Sequence, residues 1–215
     1  MVRTACRLLI GCATALLASG CTHQVAGLAV LPYSETPGPA ATLAVNADQL
    51  MLELPRIRAI TGAGEDLNVI PSMDGTVPTD IDVLADEAPA PCRFIFAETM
   101  TFGPQIADFH KTTYQSPPDA ALISQAAAVY RDPPTARRAF EHLVDQANAC
   151  AQTAAGPLYV GYVASGADSL QTRPGNTCGR NYQLKSGVLA EVTFCGFPES
   201  ISDIVMTNIL QGVPG

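Results

Sequence analysis

Tryptophan is absent from the 215 residues, and histidine occurs only at His23, His110 and His142. With so few candidate bases, and with no G-x-S-x-G or H-E-x-x-H run, nothing in the sequence marks a hydrolase. His110 and His142 read instead as surface or rim residues. Glycine-rich phosphate loops are missing too: Gly161 and Gly166 are isolated, and Gly175 sits in a turn with Pro174 and Asn176. Positive charge is scarce, 12 lysines and arginines against 20 acidic side chains for a formal net charge of −8. That balance argues against wide electrostatic capture of nucleic acid or anionic headgroups. There is no run long enough for a bilayer-spanning helix, since the apolar stretch at 8–17 falls well short of the about 20 residues required. No repeat, coiled-coil period or cofactor motif was found either.

What the amino terminus does contain is a targeting pattern. Arg3 and Arg7 form a basic region, residues 8–17 an apolar one, and Leu17-Ala18-Ser19-Gly20-Cys21 ends it with small residues before a cysteine. Residues 1–20 therefore read as a lipoprotein signal peptide, with cleavage before Cys21 and acylation (palmitate included) of that cysteine. The expected location is the extracytoplasmic face of the cell membrane, reached through the lipid anchor alone. Removing residues 1–20 takes two basic residues and no acidic one, leaving ten against twenty and a formal charge of −10. Residues 21–45 are broken by Pro32, Pro37 and Pro39 and read as a tether. Residues 46–215 have the length of one domain with a real core.

Four cysteines remain in that body: Cys92, Cys150, Cys178 and Cys195. In an exported chain an even number reads as disulfides, and the lack of a close Cys pair disfavours zinc. Residues 179–184 and 188–194 read as a hairpin turning at Ser186-Gly187. Pairing about that centre joins numbers summing to 373, which sets Cys178 opposite Cys195. Cys92 to Cys150 follows by elimination.

Helical spacing of Ala136, Ala139, Phe140, Leu143, Val144, Ala147 and Cys150 after the cap candidate Asp132-Pro133 predicts a long amphipathic helix. A short helix is expected after Asn46, with Leu50, Met51 and Leu54 buried, and a further helical turn through Ile57 and Ile60. Residues 200–211 predict a final helix. Strands are expected at 67–70, 106–114, 122–130 and 158–164 and in the hairpin, with Ala126 to Ala128 central. A loop rich in Pro, Gly and Asp is expected between the 67–70 strand and Pro91. The order implies an α+β domain: an antiparallel sheet packed against helices and stapled by two disulfides. Asp74, Asp80, Asp82, Asp86 and Glu87 fit no calcium-loop spacing and read as a solvated acidic loop that could border a cleft, so no metal site is expected.

The segments Val129-Tyr130-Arg131-Asp132, Ala139-Phe140, Ala149-Cys150, Thr177-Cys178-Gly179-Arg180 and Val192-Thr193-Phe194-Cys195-Gly196 resemble those of a known family. It is the PknH-like extracellular sensor domain, carried by a mycobacterial receptor-type serine/threonine kinase and by small lipoproteins. The similarity runs over about 46–212. It implies pairing of the first body cysteine with the second and the third with the fourth, in agreement with the hairpin register. It also implies a sheet flanked by helices with a ligand cleft, and no established chemistry. The lack of tryptophan departs from members that carry one or more, and there is no kinase domain.

Tyr130, Arg131, Tyr159, Tyr162, Arg180 and Tyr182 form the polar-aromatic set offered as ligand-binding candidates, Arg180 supplying a charge-assisted contact. The sequence thus reads as a non-catalytic envelope lipoprotein that binds or senses a small or lipidic ligand or a partner ectodomain. The alternative is a structural or carrier lipoprotein for apolar envelope molecules, with a hydrolase third.

Overall fold

The computed structural model describes residues 45–80 and 83–214. Cys21, the leader and the tether lie outside the described residues, apart from Val45. Asn46 caps α1 (Ala47–Leu50) by accepting from the Asp48 amide, and α2 (Leu54–Thr61) follows with Pro55 in its first turn. Pro55 thus opens the further turn through Ile57 and Ile60 as a separate helix, because the chain is extended at Met51 and again at Glu53.

β1 (Asn68–Gly75) runs five residues beyond the expected strand end. Its register against β2 shifts between Val69 and Asp74, so it continues as a mostly exposed edge arm where a loop was expected. Next come α3 (Val83–Glu87), a 3₁₀ segment (Ala90–Ile95) and α4 (Glu98–Phe102). β2 (Ile106–Ser116) and β3 (Ala121–Tyr130) form a long hairpin. Then α5 (Pro133–Ala151) carries the chain to the far edge of the sheet.

The apolar run at 158–164 splits in two. Gly156-Pro157 opens a short helix, α6 (Gly156–Tyr159), and Gly161, at φ 56°, ends it before β4 (Tyr162–Ser165). A Cβ at Gly161 would lie 2.0 Å from the Arg173 carbonyl oxygen, so glycine is required there. β5 (Ser169–Arg173) was not anticipated. β6 (Cys178–Lys185) and β7 (Val188–Cys195) form the predicted hairpin, followed by α7 (Glu199–Gln211).

Among the described residues the seven strands pair antiparallel throughout, in the order β1-β2-β3-β7-β6-β5-β4. Two meanders, β1 to β3 and β4 to β7, thus meet at the central β3–β7 pairing. Side chains alternate across each strand, and both faces are covered. On one face Ala126, Ala128, Tyr130 and Leu189 pack against Phe140, Leu143 and Ala147 of α5. On the other, Ala127, Val129, Ala190 and Val192 pack with Ile57 of α2 and Val205, Met206 and Ile209 of α7. The small side chains of Ala126, Ala127 and Ala128 leave room for helices to pack on both faces of β3.

Cys178 pairs directly with Cys195 in the β6–β7 ladder and is bridged to it, with Cα atoms 4.0 Å apart. Cys92 is bridged to Cys150 at the end of α5, with Cα atoms 4.8 Å apart and both residues fully buried. Each cysteine is therefore joined to its neighbour in sequence.

Candidate functional site

One row across the sheet is Lys111 on β2, Ala126 on β3, Glu191 on β7 and Tyr182 on β6. The next row on the same face is Thr113, Ser124, Thr193 and Arg180. These side chains point to the α5 side. Beside that helix, the 3₁₀ segment and α4 stand on one side and the β1 arm on the other. Between them lies a cleft of 610 Å³, lined by Lys111, Arg180 and Glu191, by Phe94 to Phe96, Glu98 and Thr101, and by residues of the 72–79 arm. The Pro- and Gly-bearing acidic segment thus does border it at Asp74, Gly75 and Thr79.

The charges in the cleft are paired. Lys111 Nζ donates to Glu98 Oε1 at 2.6 Å, and Glu98 Oε2 accepts from the Thr79 amide at 2.7 Å. Arg180 Nη2 donates to the Ile95 carbonyl at 3.0 Å while Nη1 lies 3.7 Å from Glu191 Oε1. Glu191, its side chain only 5% exposed, also accepts from the Thr193 hydroxyl at 2.6 Å. Burial works against the charge on Arg180, but Tyr182 and Glu191, with Glu98 beyond, hold its pKa above the ordinary guanidinium value. The Tyr182 phenol is pushed well up, first by burial and then by Glu191, with Arg180 opposing.

A second recess of 340 Å³ shares Ile95, Phe96 and Arg180 with the cleft and is mainly apolar, bounded by Leu158, Tyr159, Pro174 and the Cys178–Cys195 bridge. Phe96 and Tyr159 meet edge to face in its wall, their centroids 5.9 Å apart.

Of the six candidate residues, Arg180 lines both spaces, Tyr159 lines the recess, and Tyr182 lies in the cleft row but is buried. The other three stand elsewhere. Tyr130 is a core residue whose hydroxyl donates to the Phe102 carbonyl at 2.6 Å, and burial raises its pKa. Arg131 is exposed and pairs with Asp132, while Tyr162 is 70% exposed on the edge strand β4. Lys111, Glu98 and Glu191 were missed. A lone carboxylate inside the apolar strand Val188-Leu189-Ala190-Glu191-Val192 was the available signal, since a charge there needs a partner. His110 faces the opposite side of the sheet, with Nδ1 2.8 Å from Asp48 and Nε2 3.1 Å from Asp74. Among the described residues no three His, Cys, Asp or Glu side chains converge as metal ligands would, and no helix is long and apolar enough to cross a membrane.

The described residues thus form a helix-covered antiparallel sheet, joined by two disulfides and flanked by a charged cleft. The chain belongs to the PknH-like extracellular domain family, whose sequence model matches residues 44–207. Its fold is similar to the crystal structure of the extracellular domain of PknH from Mycobacterium tuberculosis, with a TM-score of 0.52. The two share 12% sequence identity over 77% of this chain and 95% of that one, so the likeness is one of fold. No curated protein matches the chain.

Proposed function

We propose that the chain is an envelope lipoprotein, acylated at Cys21 after loss of residues 1–20, with residues 21–45 as tether and residues 46–215 as a non-catalytic binding or sensing domain. The observation that carries this reading is the cleft: 610 Å³ is within the size range of small-molecule sites, and its charged side chains are held in place by hydrogen bonds. A hydrolase is disfavoured because His110 is engaged by two carboxylates on the other face of the sheet. The smaller apolar recess favours a second reading, a carrier of apolar envelope molecules, for which the cleft itself is too highly charged.

Two measurements test the proposal. Metabolic labelling with an alkyne fatty acid should mark the wild-type chain, and Cys21→Ala should abolish the label and release the protein from the membrane. Native mass spectrometry of the full chain in detergent should show a retained polar molecule, with retention reduced in Arg180→Gln. A retained lipid would favour the carrier reading. An unlabelled chain would end the anchor assignment.

A further inference from the structure

The cleft displays its charges in opposed pairs, Glu98 with Lys111 and Glu191 with Arg180, and these side chains are 5–22% exposed. Removing one partner from such a pair strands the other in a poorly solvated place, which is costly. A ligand of single charge would strand a protein charge in this way. One carrying both signs can exchange partners with all of them.

Spacing narrows the ligand further. Lys111 and Glu191 stand in one row with only the Ala126 methyl between them, two strand spacings apart, or roughly 10 Å at the backbone. Each of the two anchors one ion pair, Lys111 with Glu98 and Glu191 with Arg180, so the pairs are separated on that scale; extended chain rises about 3.3 Å per residue, which makes about three residues the length that reaches from one pair to the other. Arg180 is the pair member with donors to spare: one of its five N–H groups reaches the Ile95 carbonyl, and its contact with Glu191 is beyond hydrogen-bond length. Glu98 is fixed from behind by the Thr79 amide, so it can exchange cations without moving.

Building on the proposed binding role of the cleft, we infer that it takes a short peptide with both termini free. The peptide carboxylate meets the Arg180 fork and its ammonium meets Glu98. Lys111 and Glu191, released from their partners, are long enough to pair over Ala126, so every charge stays compensated.

Isothermal titration on the full chain in detergent, with trialanine, N-acetyl-trialanine and trialanine amide, tests this. Trialanine should bind, and either block should weaken binding at least about tenfold, the loss of one desolvated charge pair. Glu98→Gln should erase the penalty for acetylation and Arg180→Gln the penalty for amidation, with Arg180→Lys as an intermediate case and circular dichroism confirming that each variant is folded. Equal binding of free and blocked peptides, or binding of none of them, overturns the inference. If none binds but native mass spectrometry still finds a molecule whose retention depends on Arg180, the peptide assignment falls and the binding cleft stands. If neither is seen, both fall.

Discussion

Asp132 fixes the start of α5 by accepting from the Thr135 amide at 2.7 Å and from the Thr135 hydroxyl at 2.6 Å. The hydroxyl first, and then the amide, hold its carboxyl below the usual carboxylate range. A carboxylate whose folded pKa is lowered contributes its full stability above the unfolded value, about 3.9, and loses it as acid protonates the folded form. Asp132→Ala should therefore melt below wild type at neutral pH, with the difference closing as pH falls through the carboxylate range. Asp132→Asn, which keeps the cap, should lie close to wild type when neutral and lack that pH-dependent closing. Thermal melts between pH 2 and 7 decide it. This cap was legible in the sequence because cap, proline and apolar stripe are all local. The roles of the tyrosines were not: an aromatic in a strand records burial without saying which face or neighbour receives it, as Tyr130 and Tyr162 show from opposite extremes.

Among the elements, the two staples differ in loop length and in access. The Cys92–Cys150 bridge spans 58 residues and ties the 3₁₀ segment beside the cleft to the end of α5, whereas Cys178–Cys195 spans 17 within one hairpin. On chain entropy alone, replacing each pair by alanine should cost about 4 and about 3 kcal/mol respectively. Urea titration of the two double variants gives the order, and an equal or reversed loss would mean that packing around the sulfurs outweighs loop closure. The hairpin register could be read from the sequence since it depends on one turn. The 158–164 run was misread because period and composition do not reveal that Gly161 reverses the backbone midway. β5 left no signal at all: in Ser169-Leu170-Gln171-Thr172-Arg173 only Leu170 is an apolar inward residue. The extension of β1 was equally hidden, since Pro71 and Gly75 read as loop residues yet are tolerated on an unpaired edge.

At the scale of the whole molecule, the central seam joins β3 to β7, strands separated in sequence by α5, α6 and β4 to β6. The sheet cannot be completed until the carboxyl-terminal hairpin is available, and such long-range pairing is slow to form. Cysteine connectivity works the other way. With Cys21 acylated as proposed, a chain delivered amino end first presents Cys92 and Cys150 before Cys178 and Cys195, so Cys92 and then Cys178 each meet their proper mate as the next free thiol to appear. Oxidation in order of arrival thus yields the native bonds, and maturation should need an oxidant but no disulfide isomerase. Pulse-labelled chains trapped with alkylating agent should pass through a species bridged only at Cys92–Cys150. Accumulation of scrambled bonds in cells lacking an isomerase would contradict this, whereas their absence would mean that the order of the chain itself proofreads the fold.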